Sequence, residues 1–364
     1  MIKILMINTV RYKLNGISSV IMNYYKNMDK DSLEFHFISI GDMCEEYKEF
    51  FESNNLKIFE FKRKNPLNYF LNIYKLAKSN QYDIVHVHGN SSTMAVELLA
   101  CKLAGVKVRI AHSHNTTTAH PFVHKSLYPL FKSSYTHGFA CGEEAGKWLF
   151  KNDDFIEIKN GINLKQYAFD RDIRNTYRSK INVEDEIVIG HVGNFVEQKN
   201  HTFILDLFNE LIKENNKYKL LLISDGYLFE DMKQKAKDLG IEDSVIFLGK
   251  TTEVYNYLMA MDVFILPSLY EGFPVVLVEA QASGIQCIVS DKVDKKVNFV
   301  DLVDFLPIDN TQEWVKYLLD LDLKENRDLV SKKNIETMIQ NGFDIYENAK
   351  IMKQLYIDYT NRNK

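Results

Sequence analysis

Short apolar runs alternate with amphipathic stretches along nearly the whole chain. In the first half, runs at 2–7 (IKILMI), 35–40 (FHFISI), 57–61, 83–88 (DIVHVH), 107–112 (KVRIAH), 138–141 and 155–159 predict strands. Stretches such as 18–28, 67–78 and 91–103 show apolar residues at helical spacing and predict helices between them. The strand runs are continuous and rich in β-branched residues, which is the pattern of parallel strands covered on both faces. Strands and helices in alternation predict a doubly wound α/β architecture.

The rhythm breaks near Asn160–Gly161, a turn-forming pair. A charged, poorly periodic stretch runs from Lys165 to Glu186, a linker is expected near 163–185, and a second series of strands follows at 187–192, 219–224, 245–248, 263–266 and 287–289. Because single cores rarely exceed about 250–300 residues, two domains are expected. The predicted division is 1–165 and 166–344. A final helical pattern at about 344–359, rich in Tyr, Ile, Leu and Met, is expected to pack back on the first domain, as a helix over about 345–364. Ligands of open α/β sheets bind outside the carboxyl ends of the strands, so two such sheets facing each other predict one interdomain cleft.

A net charge of -4 gives no reason to expect a nucleic-acid partner. The four cysteines, Cys44, Cys101, Cys141 and Cys287, form no CxxC pair and read as small buried hydrophobes in a reducing compartment. The apolar N-terminus is short and lacks a cleavage-site pattern, so it reads as a first strand. No run approaches the ~18 residues of a membrane span. A cytoplasmic chain is expected, touching a membrane only from its inner surface. The basic run Phe61-Lys62-Arg63-Lys64 reads as a solvated loop or as an approach to anionic headgroups or a lipid-diphosphate acceptor.

The most informative stretch is 263–284, VFILPSLYEGFPVVLVEAQASG. A buried strand ends at Pro267-Ser268, a loop carries Glu271, Gly272, Phe273 and Pro274, and a helix opens near Val275 and carries Glu279. Free N–H groups and a partial positive charge at such a helix start suit a phosphate. Carboxylates beside a phosphate site make sense where they accept hydrogen bonds from sugar hydroxyls.

Glu271-x7-Glu279 in this strand–loop–helix setting resembles the signature of glycosyltransferase family 4, the retaining GT-B enzymes, with the wording of bacterial exopolysaccharide and capsule transferases. GHVGNFVEQKNH (190–201), LLISDG (221–226) and VIFLGK (245–250) extend the resemblance, and Asn15-Gly16-Ile17, AHSHN (111–115) and IKNGIN carry it less specifically into the first half. The resemblance implies a GT-B fold, two Rossmann-like domains facing a cleft. It implies retaining transfer of a hexose-type sugar from a nucleotide-sugar, by family habit a UDP-sugar, to a saccharide or lipid-linked acceptor, with no cofactor and no bound metal. Lys199 then matches the donor-diphosphate lysine, Glu279 the ribose ligand, and Glu271 the glutamate near the donor sugar. Gly272, Phe273 and Val275 bring backbone N–H groups to sugar and phosphate. Gly16 matches the glycine loop over the phosphates, His114 (or His112) the histidine facing the sugar, and Lys250 the base-binding loop.

Three positions depart from the family pattern. Asn194 stands where Arg often follows the glycine, so a cation on the diphosphate is missing and Lys199 carries more of that charge, with Arg11 or Lys13 as candidate compensation. Asn163 replaces an acidic residue, and Asn15-Gly16 offers one glycine where two are common. These departures keep a second reading open, a non-catalytic homologue that binds nucleotide-sugars. An oxidoreductase is excluded because no GxGxxG follows a predicted strand. His86 and His88, like His112 and His114, share a strand face, but no Asp, Glu or Cys completes a metal set around them.

Overall fold

The apolar runs become strands because helices cover both of their faces. The computed structural model describes residues 1–13, 15–118, 120–271, 273–323 and 326–362. The chain divides into two units, one formed by Met1–Gly161 with Ile345–Lys364, the other by Ile162–Asp344. The division thus falls at Gly161–Ile162, a few residues ahead of the expected 165–166.

In the first unit β1 (Ile2–Asn8), β2 (Leu33–Ser39), β3 (Lys57–Glu60), β4 (Ile84–Gly89), β5 (Val108–Ser113), β6 (His137–Ala140) and β7 (Ile156–Glu157) form one sheet. Its order is β3-β2-β1-β4-β5-β6-β7, with every pairing parallel. Successive side chains go to opposite faces. Ile4 and Met6 join Phe37, Ile110 and Phe139 in one core, while Leu5 and Ile7 join Val85, Val87 and Leu98 in the other. The helix Ile345–Arg362 closes the first of these cores. Ile345, Ala349, Met352, Tyr356 and Tyr359 recur every three or four residues and are all buried there, against the helix Gly16–Asn27.

The second unit repeats the plan with β8 (Ile187–Val192), β9 (Tyr218–Ile223), β10 (Val245–Gly249), β11 (Val263–Leu266), β12 (Gln286–Ser290) and β13 (Val303–Leu306), ordered β10-β9-β8-β11-β12-β13. Strand β13 has no counterpart in the sequence reading. Its run, VDFL, is interrupted by Asp304 and does not stand out, and among the described residues it pairs with β12 alone at the sheet edge. In each sheet the strand order reverses once, between β1 and β4 and between β8 and β11. These are the points where α/β sheets open a crevice at their carboxyl ends.

The stretch read as a linker is in part a helix, Arg171–Lys180, capped by the Asp170 carboxylate, which accepts from Asp172 and Ile173 backbone N–H at 2.9 Å. Apolar periodicity is weak because the buried face is partly ionic. Arg174 reaches Asp262 at 2.5 Å and Arg178 reaches it at 3.1 Å, while Asp262 also accepts from the Val188 N–H at 2.8 Å. Long arginine stems give apolar cover while their heads find carbonyls and the carboxylate. The cysteines are all free; Cys101 and Cys287 are buried and Cys44 and Cys141 half-buried.

Removing one partner of such a pair strands the others. Asp262→Ala is expected to cost about 3–5 kcal/mol, read as a lower urea midpoint at unchanged slope. A change below about 0.5 kcal/mol, the range of ordinary surface substitutions, would contradict this role.

Candidate functional site

In the second unit the loops after β8, β9, β10 and β11 lie along one sheet edge, because all these strands run parallel. The chain leaves β8 through Gly193-Asn194, makes a short turn at Glu197–Lys199, passes Asn200 in the left-handed region (φ 57°), and enters the helix His201–Glu214. This turn is tied to the loop after β11. The Leu269 N–H donates to Gln198 O at 2.9 Å, the Gln198 amide donates to Tyr270 O at 2.9 Å and Glu271 Oε2 at 3.3 Å, and the Asn200 amide donates to Pro267 O at 3.2 Å.

That lacing brings Lys199 and Glu271 together. Lys199 Nζ lies 2.5 Å from Glu271 Oε1, with the side chains 17% and 7% exposed, so the pair is partly screened from water. The lysine stem crosses Gly193. A Cβ there would sit 3.1 Å from Lys199 Cδ and 2.9 Å from His191 Nε2, so the bare glycine makes room for the lysine. Beneath lie His191 and His201, both buried. His191 Nδ1 bonds Ile265 O at 2.9 Å, and His201 stacks on Phe195 at 3.9 Å. Burial, aided by the Lys199 charge, holds His191 well below the ordinary imidazole range and His201 down to about 4. Lys199 therefore faces no competing cation from these rings.

The helix Val275–Ala282 begins at Pro274 with no side-chain cap and no acidic residue in its first turn. The Leu277 N–H donates to Pro274 O at 2.9 Å, while the Val275 N–H has no acceptor among the described residues and suits an anion. Ser268 is buried, and its Oγ has no partner among the described residues. Glu279, one turn into the helix, accepts from the Tyr167 hydroxyl at 2.9 Å. Burial pushes its carboxyl up to about 6, opposed by that hydrogen bond. Tyr167 escaped the sequence reading because it sits in the stretch taken as linker.

The remaining predicted positions are more peripheral. Asn194 is exposed, and its Oδ1 accepts from Ser224 Oγ at 2.8 Å, which leaves its NH2 to donate. Lys250 is exposed and pairs with Asp225 at 3.0 Å. Phe273 is 41% exposed and stacks on Phe343 with ring centroids 6.1 Å apart. Gly272 lies outside the described residues.

In the first unit, Asn15 caps the helix Gly16–Asn27 by accepting from the Ser18 N–H at 3.0 Å, and Asn8 bonds Ser18 Oγ at 3.0 Å. Gly16 is exposed, lies outside the left-handed region, and would carry a Cβ with nothing within 4 Å. Backbone geometry therefore does not require glycine there; what it leaves is open space. In the basic run, Arg63 turns inward to the buried Glu97, which also accepts from Tyr69 at 2.8 Å, while Lys62 and Lys64 stay exposed.

The four strand-end histidines form a two-by-two array. In one row His86 Nε2 meets His112 Nδ1 at 3.1 Å, and in the other His88 Nδ1 meets His114 Nε2 at 2.9 Å. The rows stack, with ring centroids 4.1 Å apart for His86–His88 and 4.3 Å for His112–His114. One nitrogen from each of His86, His88 and His112 falls within 4.8 Å of the others. Their planes, however, are near parallel, 9° to 34° apart. His86 and His88 stack in separate planes, and His86 Nε2 and His112 Nδ1 are turned toward each other. Burial lowers all four, His114 to about 3, so the array is neutral.

Residues 173–319 match the family model described as Glycosyl transferases group 1, and residues 3–140 match Glycosyl transferase 4-like. The EpsF protein of Bacillus subtilis (strain 168), named as a glycosyltransferase, is 32% identical over 94% of this chain and 93% of its own length. The chain belongs to glycosyltransferase family 4. Another relative of this glycosyltransferase is the UDP-Gal:alpha-D-GlcNAc-diphosphoundecaprenol alpha-1,3-galactosyltransferase of Escherichia coli, 28% identical over 79% of this chain and 78% of its own. Among solved structures, Anabaena Alr3699/HepE in complex with UDP superposes with a TM-score of 0.78 at 16% identity, covering 98% of this chain and 100% of that one. The glycosyltransferase thus has the GT-B fold. Among its described residues no helix is long and apolar enough to cross a membrane.

The Glu279 carboxyl sits at about 6 in the folded chain against an ordinary 4.5. Between those values the folded chain holds a proton that the unfolded chain has released, so stability falls as pH rises through the window and the loss is complete above it. Glu279→Gln removes the titration. Urea unfolding across about pH 4–7 is expected to show the variant gaining on the wild type between about 4.5 and 6 and level outside; a constant difference would exclude it.

Proposed function

We propose that this glycosyltransferase moves a hexose-type sugar, with retention and without a metal, from a UDP-sugar to a saccharide or lipid-linked saccharide acceptor in cell-surface polysaccharide synthesis. The observation that carries the reading is the Lys199 ammonium, held by Glu271 in a partly screened pair shortly before an uncapped helix start. An ammonium and free N–H groups so placed are what a departing diphosphate needs.

As the bond between the anomeric carbon and the phosphate oxygen breaks, negative charge builds on the nucleoside diphosphate. Lys199 and the N–H groups at Val275 take up that charge, each such preorganised group lowering the barrier by roughly 3–4 kcal/mol. Asn194 adds a neutral donor in place of a cation, so Lys199 carries the larger share. Tyr167 holds one oxygen of Glu279, and the other is assigned to the ribose hydroxyls. Glu271 and His114 are assigned to the sugar. The sugar becomes oxocarbenium-like, and attack on the same face, with the departing phosphate as base, follows from the family resemblance. The E. coli relative's name, with its UDP-Gal donor and diphosphoundecaprenol acceptor, and the UDP-glucose complex of HepE support a UDP-sugar and a lipid-linked acceptor. Exposed Lys62 and Lys64 support peripheral contact with an anionic membrane face.

Asn194 favours one alternative, a homologue that binds the donor without transferring it. Nucleotide release from a panel of sugar nucleotides, with and without a chelator, separates the two: release that persists in chelator is expected, and binding without release selects the alternative. Lys199→Ala is expected to lower turnover at least ~100-fold, and Glu279→Ala to weaken UDP binding by ~1–3 kcal/mol in calorimetry. Wild-type behaviour in both variants would remove these residues from the site.

A further inference from the structure

The two rows of the histidine array differ in the group that lies beyond them, Tyr356 for one and Met6 for the other. Met6 on β1 and His88 on β4 lie on the same sheet face as His114, just past the end of β5. His88 Nε2 is 3.0 Å from Met6 Sδ, and His88 Nδ1 is 2.9 Å from His114 Nε2. His114 Nδ1 is buried, with no partner among the described residues.

These contacts set the proton positions. A thioether sulfur has lone pairs and no hydrogen to give, so the ring nitrogen facing it must be the one that carries a proton. A neutral imidazole has one N–H. With Nε2–H of His88 turned to Met6, its Nδ1 is bare and accepts from His114 Nε2–H. His114 then has its own Nδ1 bare. The other row has no such anchor. His86 Nδ1 meets the Tyr356 hydroxyl at 2.7 Å, and a hydroxyl can either donate or accept.

We propose that Met6, acting through His88, locks His114 in the Nε2–H tautomer, so that Nδ1 is presented as a hydrogen-bond acceptor for a ligand hydroxyl. Met6 and His88 are positioning residues. Burial holds both rings well below the ordinary imidazole range, so each is neutral and carries one N–H. A buried acceptor without a partner is costly in the empty protein and is relieved when a hydroxyl arrives. The lock would therefore favour a ligand that brings a hydroxyl over a bare nucleoside diphosphate. That ligand is the donor sugar if the function proposed above is right, and the functional consequence rests on that reading.

The test is 15N NMR of the full chain, labelled in its imidazole nitrogens and free of ligand. The wild type is expected to show Nε2 protonated and Nδ1 bare at His88 and His114. Met6→Leu conserves volume and deletes the sulfur acceptor, and is expected to bring in the Nδ1–H form at both rings. Nδ1–H at His114 in the wild type, or an unchanged spectrum in Met6→Leu, would overturn the proposal. The wild-type spectrum decides even if the variant folds poorly, and no substrate is involved, so this outcome stands apart from any failure of sugar transfer. Calorimetry with UDP and UDP-glucose then reads the consequence: the preference for UDP-glucose over UDP is expected to shrink by about 5–10-fold in Met6→Leu, the worth of one neutral hydrogen bond, with UDP affinity unchanged. A preference that stays put while the tautomers mix would withdraw the hydroxyl-acceptor role.

Discussion

Both sheets are covered by helices on both faces, and that constraint decides where polar chemistry can sit. A strand such as β4, buried along its whole length, has no wet face, and a parallel arrangement puts the loops that follow β8 to β11 on one edge. Functional side chains therefore gather where strands end. The strand order reverses at β1/β4 and β8/β11, and the candidate residues lie in the loops or strand ends at these points: Gly16 after β1, His88 on β4, Lys199 after β8 and Glu271 after β11.

The second unit handles charge by pairing it and by keeping its neighbours neutral. Lys199 and Glu271 share a partly buried contact, and the two imidazoles beneath them are held uncharged by burial. The pair lies shortly before a helix start with no side-chain cap. Gly193 makes the arrangement possible by having no side chain where the lysine stem must lie.

The first unit departs from apolar strand faces at the buried His36 on β2 and most heavily at the ends of β4 and β5. Three imidazoles on β4 and β5 and a fourth, His114, just past β5 stack, hydrogen-bond in rows and stay neutral, so the core tolerates them. Among the described residues, His112 Nε2 and His114 Nδ1 are left without a partner.

Local pattern was enough to read the two-unit α/β plan, most strands and the glutamate-bearing loop and helix, because period-two and period-3.6 burial are written into consecutive residues. The helix Arg171–Lys180 was not legible, since its partner Asp262 is remote in sequence and its buried face is partly guanidinium. Nor was β13, whose run is interrupted by Asp304 and which among the described residues pairs with β12 alone. Tyr167 under Glu279, the sulfur facing His88 and the pairing of the histidines in rows depend on strand order and register across long sequence separations. The sequence by itself determined the family, the alternation of strands and helices, and the strand ends at which the candidate residues fall. Only the tertiary structure decided which of them touch, which proton each ring holds and which glycine is there for room, because those follow from contacts between segments that no local period encodes.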